Sequence, residues 1–301
     1  MIEISINNLN IDKSVFQFFF LLVIIMEEFV LKGENFGKFM SFVSNNEIGD
    51  QWKKPIHFAG NTLRLYQYDD GPCGLLSLIQ AYILINHAKN MKMSRDDLLI
   101  HSILDIMKKI RNIFAFCQCF DTKNKELMFY VTKSESEAKE YLTNSGILQV
   151  DISLILILIS FAYICGPSLL NSFAFKDPLI SDNGQTSIQL VLLLLTGMAA
   201  DSLNDFHTVQ GGIFFSGILV EQDIGFIIVN EDDSDSRVGF PLLAPKEKIW
   251  IIYYGGHFTT IAYIKNEFRE YNNIDHSLNE YTVCTKKHIL YNSLISLLAY
   301  Y

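Results

Sequence analysis

Between residues 75 and 85 only Ser77 and Gln80 interrupt an otherwise apolar and aromatic run. A helix built from such a run is apolar around most of its circumference, so it must be enclosed by other elements rather than lie on a surface. With 301 residues, half of them hydrophobic, the chain has enough apolar surface for a large core and fits one large domain.

Helical texture extends from residue 13 to about 205, with breaks at Lys32-Gly33, residues 45–51, Gly71-Pro72, Gly166-Pro167 and residues 176–185. Asp96-Asp97 and Lys108-Lys109 bracket an amphipathic pattern at Leu98, Leu99, Ile103, Leu104, Ile106 and Met107. Ser134, with Glu137 three residues on, has the form of a capping box opening a polar helix over 134–144. From Gly212 the chain reads as strands at 213–220, 224–229, 249–254, 257–264 and 267–272, and Gly255-Gly256 predicts a tight hairpin. This order predicts an α+β fold: a helical lobe over about 1–210 packed on a C-terminal antiparallel sheet over about 211–285.

Apolar runs at 15–26, 152–165 and 190–195 fall short of the roughly 20 residues that span a bilayer and read as buried helices. The first 10 residues contain Glu3 and no Lys or Arg, unlike a secretory leader. A net charge of −9 argues against nucleic acid and favours a basic protein partner, for which the acidic run 231–235 is a candidate edge. Five irregularly spaced cysteines do not form a disulfide framework, which predicts a reducing compartment, cytoplasmic or nuclear. Cys117-Gln118-Cys119 lacks zinc spacing, and neither a metal nor an organic cofactor is expected.

Directly before the apolar helix stands Gln67-Tyr68-Asp69-Asp70-Gly71-Pro72-Cys73-Gly74. Gly71 permits a close backbone approach and Pro72 pre-sets a helical φ, so Cys73 falls in the first helical turn. Unsatisfied N–H groups there favour a thiolate and later an oxyanion, which makes Cys73 a candidate nucleophile. Of seven histidines, His57, His87, His101, His207, His276 and His288 read as structural or surface residues. His257 instead opens a strand after Gly255-Gly256, which leaves room for a substrate backbone beside a candidate general base. Helix-borne thiol and sheet-borne imidazole follow the papain-like layout. Asn272, Asn273 or Asp275 could orient the ring, and Gln67 could join the Cys73 N–H in an oxyanion hole.

These segments resemble the MINDY deubiquitinases, especially the subfamily of the third and fourth human members. The resemblance runs from the Gln67 to Gly74 motif with Leu75-Leu76-Ser77-Leu78-Ile79-Gln80-Ala81, through Leu193-Leu194-Leu195-Thr196-Gly197-Met198-Ala199-Ala200, to Asp223-Ile224-Gly225-Phe226 and Ile249-Trp250-Ile251-Ile252-Tyr253-Tyr254-Gly255-Gly256-His257-Phe258. It implies one catalytic domain over 1–301 with a papain-like cysteine protease fold. The implied activity is an isopeptidase acting on ubiquitin and polyubiquitin chains, with the proteasome-targeting linkage preferred. Cys73 would be nucleophile, His257 base then acid, and Gln67 oxyanion donor. An inactive or autoinhibited ubiquitin-chain-binding protein is the alternative.

Overall fold

The computed structural model describes residues 28–171, 178–198, 200, 202–210, 213–229, 238–274 and 279–284. The apolar run at 15–26, the acidic run 231–235, Asp275, His276 and His288 lie outside the described residues. In chain order the elements are β1 (Glu28–Lys32), α1 (Gly33–Val43), α2 (Cys73–Lys89), α3 (Arg95–Ile110), β2 (Phe114–Asp121), β3 (Glu126–Thr132), α4 (Glu135–Asn144), α5 (Ser153–Asn171) and α6 (Ile188–Thr196). There follow β4 (Thr208–Gln210), β5 (Ile213–Phe215), β6 (Gly225–Val229), α7 (Phe240–Leu243), β7 (Ile249–Tyr254), β8 (His257–Ile264), β9 (Glu267–Tyr271) and β10 (Thr282–Val283). Helices and sheets in separate layers make the fold α+β.

The enclosure demanded by residues 75–85 is met. Every residue of α2 from Cys73 to Asn86 is buried, with α3, α6, β7 and β8 packed around it. Its polar interruptions are satisfied: Gln80 Oε1 accepts from Leu65 N at 2.7 Å and Nε2 donates to Leu63 O at 3.1 Å. Ser77 Oγ donates to Phe258 O at 3.1 Å, and Ser77 O accepts from Thr260 Oγ1 at 2.7 Å. Helix α2 is thereby tied by hydrogen bonds to the strand that His257 opens.

The N-terminal lobe is not purely helical. An antiparallel sheet of order β1-β3-β2 stands between its helices, with α5 laid against β2. β3 alternates buried and half-buried positions as a strand should. β2 begins with four consecutive buried residues, Phe114 to Cys117, and such a run has no period that separates strand from helix. The break expected at Gly166-Pro167 is also absent, since α5 runs through both residues to Asn171. Burial of the helix from Leu154 to Cys165 outweighs the one backbone bond that proline forfeits.

The C-terminal sheet has the order β10-β9-β8-β7-β6 and is mixed rather than antiparallel. β6 runs parallel to β7, with Gly225 opposite Trp250, and the crossover passes through α7. A Cβ on Gly225 would lie 2.2 Å from Trp250 Cδ1, so glycine is what lets the indole cross β6 and donate to Leu243 O at 2.9 Å. Ile249, Ile251, Phe258 and Ala262 join the core that holds α2, while Ile227, Trp250, Ile252, Ile261 and Phe268 form a second cluster. Burial on both faces explains why β7 reads as a continuous apolar run. Gly255 and Gly256 turn the β7–β8 hairpin at φ +57° and +83°, the left-handed pair a two-residue turn needs.

Candidate functional site

Cys73 is the first residue of α2, with Pro72 as N-cap. The turn before it is clamped by residues 184–186. Gly71 O accepts from both Thr186 N at 2.7 Å and Thr186 Oγ1 at 2.8 Å, while Gly184 O accepts from the indole of fully buried Trp52. Gly71 has φ +134°, and a Cβ there would sit 2.8 Å from Gly184 O. A Cβ on Gly74 would lie 2.6 Å from Thr186 Cγ2, so both glycines are required for this close approach.

Sheet geometry brings the thiol to the backbone of Phe258, the residue next to His257. In the two-residue hairpin, Tyr254 and His257 form the bonded closing pair, so the backbone groups of Phe258 face away from β7, toward β9. β9 ends at Tyr271, opposite Thr260, and leaves Phe258 at an open stretch of edge. Helix α2 fills it: Phe258 O accepts from Ser77 Oγ, and the Phe258 backbone hydrogen-bonds the Cys73 thiol one helical turn away. The imidazole reaches across the same stretch, its Nε2 lying 3.1 Å from Asn272 Oδ1. That oxygen also accepts from Ile274 N at 3.1 Å, which fixes it as an acceptor. His257 Nε2 therefore carries the proton, and Nδ1 presents a lone pair.

Of the three residues that could orient the ring, Asn272 makes the contact. Asn273 is fully buried and does a different job: with its amide oriented to suit both neighbours, it donates to Leu65 O at 3.2 Å and accepts from Ser77 N at 3.3 Å. Its carbonyl accepts from Gln67 N at 3.0 Å. The approach to Cys73 and the turn after β9 are thus stitched together.

Gln67 is 1% exposed. Its Nε2 donates to Asp69 O at 2.8 Å, within its own loop, and its Oε1 is buried without a partner. The bond that the loop makes is therefore not to Cys73.

The electrostatics depart from the sequence expectation of a thiolate favoured by the helix start. Burial pushes the Cys73 thiol up to about 11, and the Asp70 carboxylate adds to the rise. Backbone hydrogen bonds from Phe258, Gly74 and Cys73 itself oppose it without overcoming it. Burial likewise holds His257 below its ordinary value, against the Asn272 hydrogen bond and the carboxylates of Glu270 and Asp70. At neutral pH the pair rests as thiol and neutral imidazole.

Three of the other histidines have partners elsewhere. His57 packs on the rings of Tyr66 and Tyr68, His101 lies 3.1 Å from Lys139 Nζ, and His207 Nδ1 accepts from Gly217 N. Cys117 and Cys119 occupy β2 on either side of a register shift, and all five cysteines are unbridged. Among the described residues, no helix is long and apolar enough to cross a membrane.

The geometry thus presents a helix-start thiol against the Phe258 backbone and, one residue along the same strand, an imidazole of fixed tautomer. The chain belongs to the family described as "Deubiquitinating enzyme MINDY-3/4, conserved domain", which matches residues 109–281. That span includes His257 and Asn272 and begins after Cys73. The chain is also similar to "Ubiquitin carboxyl-terminal hydrolase MINDY-3" of Xenopus tropicalis, at 24% identity over 264 residues, covering 71% of this chain and 60% of the relative. The chain thus spans about three fifths of the length of the curated relative it matches. No solved structure matches.

Proposed function

We propose that this protein is a cysteine deubiquitinase with a papain-like active site, acting as one catalytic domain on ubiquitin and polyubiquitin. The observation that carries this reading is the shared edge of β8, where the Cys73 thiol meets the Phe258 backbone and the neighbouring His257 ring is held by Asn272. Family membership supplies the substrate class. A core cluster running from Phe29 to Tyr271 supports treating both lobes as one unit.

In this reading His257 Nδ1 takes the thiol proton as Cys73 Sγ attacks the carbonyl carbon of ubiquitin's C-terminal glycine. The resulting oxyanion is held by backbone N–H groups at Cys73 and by Gln67. Collapse expels the lysine amine, protonated by His257, and leaves a thioester. Water then gives its proton to Nδ1 and attacks the thioester, which releases a carboxylate and restores the thiol. A cleft lined by Gln185, Thr186, Gln189, Ile228 and Tyr253 suits the extended, glycine-rich tail. Thr186 touches the Gly71 turn and Tyr253 packs on Phe258, so the walls of this cleft contact the segments that carry Cys73 and His257. We further propose the proteasome-targeting linkage as the preferred substrate.

A buried amide oxygen without a partner costs about 1–3 kcal/mol, which offsets the one loop bond that Nε2 makes to Asp69 O. Its second N–H is available to an oxyanion once substrate arrives.

The elevated Cys73 thiol also favours a second reading, a ubiquitin-chain-binding protein whose site stays locked. A ubiquitin probe with a C-terminal electrophile separates the two. An adduct that forms on the natural protein and is lost in Cys73→Ala supports the hydrolase. Chain binding without adduct or turnover over long incubation supports the locked site, and an adduct persisting in Cys73→Ala removes the assignment of Cys73.

A further inference from the structure

Arg64 is 1% exposed, which makes it one of the most deeply buried charged side chains among the described residues. Burying a guanidinium costs several kcal/mol unless its N–H groups are well matched, so a buried arginine is kept where its fork fixes something. Here Nη1 donates to Asn272 O at 2.8 Å and Nε donates to Asn279 O at 2.9 Å. Two backbone carbonyls, one just past the end of β9 and one just before β10, are thus held by a single rigid plane.

Asn272 is the residue whose side chain holds His257. Its backbone carbonyl is gripped by Arg64, while its Oδ1 accepts from Ile274 N and from the imidazole. Arg64 in turn lies on the segment leading to the nucleophile, where Gln67 N donates to Asn273 O and Leu65 N donates to Gln80. The fork therefore connects the segment that delivers the thiol to the residue that sets the ring.

We propose that Arg64 is a positioning residue for the thiol–imidazole pair, fixing the Asn272 peptide so that Asn272 Oδ1 holds the His257 Nε2–H tautomer. The proposal rests on the hydrolase reading for its catalytic consequence, though not for the tautomer. Lysine at position 64 keeps the charge but loses the planar fork, and cannot hold two carbonyls in one geometry.

The test uses the full chain with Arg64→Lys and Arg64→Gln, each also placed in an Asn272→Ala background. Three readouts are taken: imidazole nitrogen shifts of His257 by NMR, steady-state turnover of ubiquitin chains, and far-UV circular dichroism with a thermal melt. In folded Arg64→Lys the His257 tautomer becomes mixed, and kcat falls about 10- to 100-fold with KM within about twofold of its starting value, as expected for misplaced but intact groups. In the Asn272→Ala background the same substitution costs nothing further, because the route through Asn272 is already gone. An unchanged tautomer, an equal loss in both backgrounds, or failure of both Arg64 variants to fold would overturn the proposal, the last by making Arg64 a stability element. If the natural chain turns over no ubiquitin, the hydrolase reading fails while the tautomer measurement still decides the role of Arg64.

Discussion

Gln67 and Cys73 each present a group whose resting state differs from the state the proposed chemistry requires. The Gln67 amide donates to Asp69 O and leaves its own oxygen buried and unpaired. If that amide supplies an oxyanion donor, Gln67→Ala lowers kcat by about 10²–10³ with little change in KM. If it only staples the loop, the melting temperature falls and kcat holds, so measuring both decides. For Cys73, the thiol at about 11 sets the pH behaviour of the free protein. The thiolate is the reactive form, so alkylation of Cys73 by iodoacetamide, followed by peptide mass spectrometry, rises continuously from pH 7 to 10. A plateau reached below pH 8 would mean that an ion pair already exists and that burial does not control the sulfur. The two carboxylates that act on His257, from Glu270 and Asp70, pull its proton affinity back up, and Asp70 also opposes ionisation of the thiol. Asp70→Asn accordingly shifts the alkylation profile to lower pH, a displacement readable in the same assay.

At the scale of elements, the turn before α2 depends on Gly71. Alanine there must adopt φ +134° and place its Cβ 2.8 Å from Gly184 O, a backbone atom that cannot swing aside. Strain of this kind costs about 1–3 kcal/mol, and the turn carries Cys73, so Gly71→Ala lowers both the melting temperature and labelling by the ubiquitin probe. Normal labelling by a stably folded Gly71→Ala protein would show that the turn tolerates displacement. The turn, α2, the amphipathic α3, the Ser134-capped helix and the Gly255-Gly256 hairpin are all legible in the sequence, because each is dictated by residues within a few positions of one another. Ser134 Oγ accepts from Glu137 N as expected, and Ser94, which the sequence reading does not single out, caps α3 in the same way by accepting from Asp97 N. The capping box is only half made, since Glu137 turns to Thr132 Oγ1 instead of back to Ser134. What sequence could not give depends on distant partners. The β1-β3-β2 sheet was hidden by the continuous burial of β2, and the parallel β6–β7 pair required knowledge of where Trp250 would lie. Choosing Asn272 over Asn273 required the register at the end of β9, and Arg64 had no local signal beyond one charge in a largely uncharged stretch.

The whole molecule keeps several ionisable groups out of water, and this has a consequence for its stability. Burial raises the thiols of Cys73, Cys117 and Cys165 above the ordinary value of 9.0, and the buried hydroxyls of Tyr82 and Tyr163 above 10.0. Below pH 9 folded and unfolded chains both hold the thiol protons, so the contribution to stability is complete. Above it the unfolded chain loses protons that the folded chain retains, and stability falls as pH rises until the folded groups themselves titrate. Each of the three thiols removes about 1.4 kcal/mol per pH unit in that window, so together they erode a typical stability of about 5–15 kcal/mol within a few units. The melting temperature is therefore level from pH 7 to 8.5 and drops steeply between pH 9 and 11. Cys165→Ala removes one of these groups and flattens the drop relative to its own value at pH 7. A melting temperature unchanged up to pH 10.5, or a slope indifferent to Cys165→Ala, would mean that these thiols reach water in the folded chain, and the same access would then have to be granted to Cys73.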